Sequence, residues 1–251
     1  MEKIAILLLM LLVMTGAEAK QFLVVPLARS SNPTITEGWL YSQQEQQIHG
    51  YPNHKGIDFA CSYGTAVYAA TDGWAIQSFH SRLLPERLWQ GKTVGYALGH
   101  FVQIWHPEQQ KYTCYGHLSR VAESIPCLRP VQSKAQPHDW DPKGIYLVSG
   151  VAPDGAVWIR RGDLVGYVGD SGLTWGYDET PDQRPDREQF PSWDEPHLHF
   201  EVYTRDAQGQ KNVWFDPFCL YSTAEAYNLS NPVGVSELWL FDQNHNILWA
   251  R

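Results

Sequence analysis

Pro196-His197-Leu198-His199-Phe200-Glu201-Val202 alternates polar and apolar residues without a break. That is the period of a half-buried β-strand. One face carries His197, His199 and Glu201, and the other carries Leu198, Phe200 and Val202, which would press into a core. Two imidazoles side by side on a rigid strand can hold a metal and a reacting group next to each other. The stretch is a candidate active-site strand, and it needs partners from elsewhere in the chain.

Outward from this strand, 20 Gly and 16 Pro punctuate the 251 residues. Short runs rich in Trp, Tyr, Phe and Val lie between them, at Thr65 to Ala70, Phe101 to Trp105, Lys111 to Tyr115, Ala156 to Ile159, Leu164 to Val168 and Leu198 to Tyr203. The pattern predicts a mostly β domain built on an antiparallel sheet. No long amphipathic helix is visible after the N-terminal region, and a short helix is expected near Thr223 to Tyr227. Ser81 to Gly99, Leu128 to Gly144 and Leu173 to Pro196 read as long loops. The last is acidic, with Asp178, Glu179, Asp182, Asp186, Glu188, Asp194 and Glu195 against Arg184 and Arg187. A loop of that length is either functional or a solvated surface. Because it runs directly into His197, it is expected at the rim of the site.

The partners lie upstream. His54-Lys55-Gly56-Ile57-Asp58 sets an imidazole and a carboxylate four residues apart. Gly56 argues against a helix, and in extended chain positions i and i+4 share a face, so His54 and Asp58 can converge on one ion. One histidine from the His-Leu-His strand completes two imidazoles and a carboxylate. Three protein ligands with an open fourth position suit a catalytic zinc ion rather than a closed structural one. A third element, Tyr115-Gly116-His117-Leu118-Ser119, places His117 after an apolar run, where a strand is expected to end.

In order, spacing and flanking residues these motifs match one pattern. His54-Lys55-Gly56-Ile57-Asp58-Phe59 comes first, then Gly64 to Ala70 with Asp72-Gly73, Tyr115 to Ser119, Gly162 to Gly166, Gly169 to Gly172 and His197 to Val202. The chain resembles the lysostaphin-type zinc metallopeptidases, cell-wall endopeptidases with the duplicated-hybrid-motif β fold, over roughly residues 38 to 218. The resemblance implies that His54, Asp58 and His199 are ligands of one zinc ion and that His117 and His197 are catalytic. It implies a secreted or periplasmic metalloendopeptidase that hydrolyses peptide bonds in peptidoglycan stem peptides or cross-bridges through a metal-activated water, with another extracellular peptide as a variant substrate and long loops walling the groove. A second reading is a non-catalytic module of the same fold that binds the cell wall or activates amidases. Such degenerate members lack ligands or catalytic histidines, whereas all five positions are filled here.

There is no His-Glu-x-x-His motif, so no helical glutamate can be the base. His197, one strand step from His199, is placed for that role. His117 can stabilise the oxyanion or protonate the leaving amine, and the division of labour stays open. Glu201 is either an orienting partner of a ligand ring or a simple strand-end charge. His106 is given a structural role. Histidine binds metal only when neutral, so zinc affinity is expected to fall in acid. The run Gly162 to Gly172 lacks the endings of phosphate-binding glycine loops and reads as a strand with tight turns. The acidic insertion before His197 and the long segment between His117 and Gly162 depart from the family pattern, which puts the substrate in question more than the chemistry.

Glu2 and Lys3, the apolar run Ile4 to Met14, and Ala17-Glu18-Ala19 read as a cleavable signal over residues 1–19, with an uncleaved anchor as the alternative. A segment 20–37, a peptidase domain 38–220 and a packed extension 221–251 would follow. Loss of Glu2, Lys3 and Glu18 from 19 basic and 27 acidic residues leaves 18 and 25, a net charge of −7. An acidic, monomeric peptidase with no affinity for nucleic acid and no membrane span after cleavage is expected. Cys61, Cys114, Cys127 and Cys219 suggest two disulfides in a secreted chain. Three pairings are open, with Cys114–Cys127 and Cys61–Cys219 preferred because the first closes a short loop.

Overall fold

The computed structural model describes residues 22–49, 52–80, 83–89, 91–95, 97–126, 155–173, 192, 194–205, 212–218, 220–227, 229 and 247–251. The expected signal, the segment Leu128 to Gly144, most of the acidic insertion and the run Leu238 to Phe241 lie outside the described residues.

The architecture is mostly antiparallel β, as the strand pattern predicts. In chain order the strands are β1 (Thr34–Glu37), β2 (Ile57–Ala60), β3 (Ala66–Tyr68), β4 (Gly73–His80), β5 (Leu83–Trp89), β6 (Lys92–Gly95), β7 (Gly99–His106), β8 (Lys111–Val121), β9 (Val157–Ile159), β10 (Leu164–Val168), β11 (His197–Arg205) and β12 (Asn212–Phe215). One sheet runs β1-β2-β11-β8-β7-β4-β9, with β12 on β11 and β10 bridging β8 to β3. Helix α1 (Gln43–His49) and two 3-10 turns, Arg29–Ser31 and Ala224–Ala226, are the helical pieces among the described residues. The second turn falls where a short helix is expected.

The alternation of β11 works as read. Leu198, Phe200 and Val202 are fully buried in one large apolar cluster with Ile57, Phe59, Tyr115, Val165 and Val168. Each such side chain contributes about 1.5–3 kcal/mol. The opposite face is polar at the His197 end and aromatic at the other. There Tyr203 joins Phe101, Trp105, Tyr112 and Cys114 in a second cluster. The sheet therefore has core on one side along its whole length, and a polar basin on the other side only where the histidines stand.

Three expectations need correction. Ser81 to Gly99 is not a loop: β5 and β6 form a two-stranded sheet, with a register shift between Leu84 and Leu88. That shift brackets Pro85, which has no N–H to give to a regular ladder. His117 does not end a strand. It sits inside β8 at φ 58, at the bulge where the β7–β8 register slips, and the strand runs on to Val121. The cysteine pairing is also overturned, since Cys61 and Cys114 are free thiols. Cys114 is sealed within the aromatic cluster, whereas Cys61 packs against the other core. Neither is in a disulfide among the described residues, and Cys127 and Cys219 lie outside them.

Described residues from the N-terminal and C-terminal parts of the chain pack together on the sheet. Phe22, Leu23, Val25 and Leu27 are core residues, and Val25 pairs with Trp249, its carbonyl accepting from the Ala250 N–H at 3.0 Å. No described helix is long and apolar enough to cross a membrane.

Candidate metal centre

Strand β2 lies beside β11 with Asp58 directly opposite His199, while β8 brings Gly116 opposite His199 from the other side. His54 precedes β2 rather than belonging to it. Lys55, at φ 70, turns the chain so that His54 doubles back over Asp58. Convergence of the pair is as expected, but a left-handed bend achieves it, not a continuous strand. Glycine is required next to this bend: a Cβ on Gly56 would stand 2.7 Å from Cε1 of His199 and 3.0 Å from the Phe200 carbonyl.

His54, Asp58 and His199 offer one ligand atom each, all within 4.8 Å of one another, and all three residues are buried. His54 Nε2 is 3.1 Å from Asp58 Oδ2 and His199 Nδ1 is 2.8 Å from Asp58 Oδ1. His197 and His117 stand on the same side. Nε2 of His197 is 3.6 Å from Asp58 Oδ2, and the His117 ring centroid is 4.7 Å from that of His197 and 5.7 Å from that of His199. All five expected site residues are therefore in one buried cluster.

The outer nitrogen of every one of these rings is spoken for. Nδ1 of His54 donates to the Gly38 carbonyl at 2.9 Å, Nδ1 of His117 to the Ser171 carbonyl at 2.9 Å, and Nδ1 of His197 to the Glu195 carbonyl at 2.8 Å. His199 is turned the other way, with Nε2 on Glu201 Oε1 at 3.1 Å and Nδ1 inward. A carbonyl can only accept, so each of the first three imidazoles carries its proton on the outer nitrogen and presents Nε2 to the basin. Metal-binding histidines are oriented in this way, by a second acceptor that fixes tautomer and ring plane. Glu201 is thus an orienting partner and not a loose strand-end charge. Trp214 of β12 holds it in turn, Nε1 donating to Oε2 at 3.3 Å.

The electrostatics follow from this packing. Burial alone would raise the Asp58 carboxyl, but His54, His197 and His199 around it hold it well below the usual carboxylate range. Burial would lower His199, yet Asp58 and Glu201 on its two nitrogens outweigh it and push the imidazole up to about 10. Without metal, that ring is a cation bridging two carboxylates. Burial, followed by the proximity of His197 and His199, puts His117 well below its ordinary value, so it is neutral. Two imidazoles and one carboxylate, each preset in direction, are a nitrogen-oxygen donor set that fits zinc.

The glycine-rich turn after β10 serves this site. The Gly169 carbonyl accepts from the His197 N–H at 3.2 Å. Ser171 Oγ accepts from the His100 N–H at 2.9 Å and donates to the Leu118 carbonyl at 2.7 Å. Its own carbonyl orients His117. The turn docks tightly enough that a Cβ on Gly99 would collide with Ser171.

Two acidic neighbours were not legible as site residues. Glu37 faces Asp58 across the β1–β2 pair, and burial, then Glu45, Asp58, Asp194 and Glu225, raise its carboxyl to about 8. Asp194, from the end of the acidic insertion, lies 3.8 Å from Nδ1 of His197. His106 is elsewhere, fully buried between the Asp72 carbonyl at 2.7 Å and Thr113 Oγ1 at 2.9 Å, which accords with a structural role.

Residues 52–126 match the family described as peptidase family M23. The match includes His54, Asp58 and His117; His197 and His199 lie beyond it and reach the site through the β2–β11–β8 pairing. No curated protein matches the chain. Among solved structures it is similar to the catalytic domain of the antimicrobial peptidase lysostaphin from Staphylococcus simulans, at 17% identity, 76% of this chain, 92% of that one and a TM-score of 0.42. It is similar to the catalytic domain of the prophage-encoded M23 protein EnpA from Enterococcus faecalis at 18% identity, 75% and 93% coverage and a TM-score of 0.38. It also resembles a zinc-containing peptidase from Vibrio cholerae at 21% identity, covering 78% of this chain but 39% of that one, with a TM-score of 0.39. At these TM-scores none of the overlaps bears on activity. Over residues 52–126, and in the motifs that carry the resemblance, the chain is similar to peptidase family M23.

Proposed function

We propose that this chain is a zinc metalloendopeptidase of the bacterial cell envelope that cuts peptide bonds in peptidoglycan stem peptides or cross-bridges. One observation carries the reading: four buried imidazoles and one carboxylate converge, and each imidazole has its outer nitrogen tied to an acceptor. His54 through Nε2, Asp58 through its carboxylate and His199 through Nδ1 would hold the ion. When bound, zinc supplies Lewis-acid polarisation of the scissile carbonyl and acidification of a water.

The remaining steps belong to His117 and His197. His117, neutral with its proton committed to the Ser171 carbonyl, offers a lone pair at Nε2. A group in that state accepts a proton before it can give one. It takes the proton that the attacking water loses, and returns it to the amine nitrogen as the C–N bond breaks. His197 is held by the Glu195 carbonyl against Asp58; its Nε2 also presents a lone pair, so it can stabilise the negative charge that develops on the carbonyl oxygen only after taking up a proton. The apolar run before Ala17-Glu18-Ala19 supports export to the periplasm or beyond.

The test is mass spectrometry of fragments released from purified peptidoglycan by the protein, with and without a chelator. Release of peptide termini that chelation abolishes and zinc restores is expected. Protein that binds no zinc, or that releases nothing from any wall chemotype, would leave the second reading, a non-catalytic module, in its place.

A further inference from the structure

The Gly38–Trp39 segment is the strap over His54. The Gly38 carbonyl accepts from His54 Nδ1 at 2.9 Å, and the Trp39 carbonyl accepts from the His54 N–H at 2.8 Å. What fixes the strap comes from the far end of the chain. Trp39 N–H donates to the Tyr227 hydroxyl at 3.2 Å. That hydroxyl donates to Asp216 Oδ2 at 2.8 Å. Asp216 is fully buried and also gathers the N–H groups of Phe218, Leu220 and Tyr221 at 2.9, 2.8 and 2.6 Å. Gly38 lies so close to the Tyr227 ring that a Cβ there would meet Cε2 at 2.5 Å.

We propose that Asp216 and Tyr227 are positioning residues for His54, a buried carboxylate–phenol pair that sets the strap and through it the direction of the His54 ring. A carboxylate with four donors is a rigid anchor, and a phenol that both donates and accepts transmits that rigidity to one backbone N–H. Burial, and then Asp216 beside it, raise the Tyr227 hydroxyl above its ordinary value, so it remains a donor. The pair touches neither the basin nor a substrate. Its effect is on His54 alone among the site histidines, because His117, His197 and His199 take their outer hydrogen bonds from Ser171, Glu195 and Glu201.

The test uses the full chain, labelled with nitrogen-15 and freed of metal. Long-range proton–nitrogen correlation of the imidazoles is recorded for wild type, Tyr227→Phe and Asp216→Asn. Wild type should show His54 protonated at Nδ1. In each variant the His54 signals should move toward exchange between tautomers while those of His117 and His197 stay in place. Zinc dissociation constants from chelator competition should rise about tenfold; this arm rests on the proposed metal reading. Unmoved His54 signals with unchanged zinc affinity would overturn the proposal. A wild type that binds no zinc would sink the metal reading only, since the tautomer still reports positioning. If neither variant folds, amide exchange in wild type decides: a Trp39 N–H that exchanges as freely as an exposed strand edge rules the phenol contact out, and a protected one supports it.

Discussion

His199 shows how a single side chain acquires two personalities from its neighbours. Held between Asp58 and Glu201 it is a cation in the metal-free protein, and only loss of the Nδ1 proton makes it a ligand. His117 differs from it because its outer nitrogen meets a neutral carbonyl instead of a carboxylate. His117→Ala and His197→Ala should therefore each lower turnover on purified peptidoglycan by about 10²–10⁴. Both should keep one zinc per chain by elemental analysis. Loss of zinc from either would remove the distinction between ligand and catalytic histidines. His106 gives a prediction independent of the metal. Burial, against the opposing pull of Asp72, depresses it from its usual 6.5 to about 4. As pH falls, the unfolded chain takes a proton first, so stability present above about 6.5 is lost as pH drops toward 4. The loss is about 3 kcal/mol, measurable as a falling urea midpoint in the metal-free protein, and His106→Asn should flatten that slope.

Strand β11 brings its two histidines into the candidate site because both its neighbours are antiparallel and in fixed register. Asp58 and Gly116 flank His199 from β2 and β8, and a shift by one residue would turn every histidine into the core. Which face the histidines of β11 take was readable from the alternation of Pro196 to Val202, whereas the register against β2 and β8 was not. The approach of His54 was not, since it depends on the left-handed Lys55 and on the absence of a side chain at Gly56. Gly56→Ala should push the His199 ring off its line. The expected result is a zinc dissociation constant raised by about tenfold or more, read by chelator competition. An alanine variant with wild-type affinity would mean that the ring and backbone can both give way. Likewise His117 owes its place to a bulge in β8, a local break in pairing that no periodicity announces.

Taken whole, the molecule closes its site with pieces from distant parts of the chain: a strap at Gly38–Trp39, a turn at Gly169–Gly172 and a buried anchor at Asp216 with Tyr227. Metal binding to the folded form alone should couple to stability across all of them. At zinc about 1,000 times its dissociation constant the gain is about 4 kcal/mol, so excess chelator should lower Tm by on the order of 10 °C for a chain of this size. Zinc should restore it; a Tm indifferent to chelator would argue against a site formed only on folding. What the amino-acid sequence determined unaided is the β class, the two-faced His-Leu-His strand, and a His54–Asp58 pair able to converge on one ion with a histidine of that strand. Those follow from period and spacing, which are local. The ring orientations, the neutral state of His117, the free thiols and the hold of Tyr227 on His54 were decided only by tertiary structure. Each depends on which carbonyl, carboxylate or phenol lies within about 3 Å across a fold, and no local pattern encodes that distance.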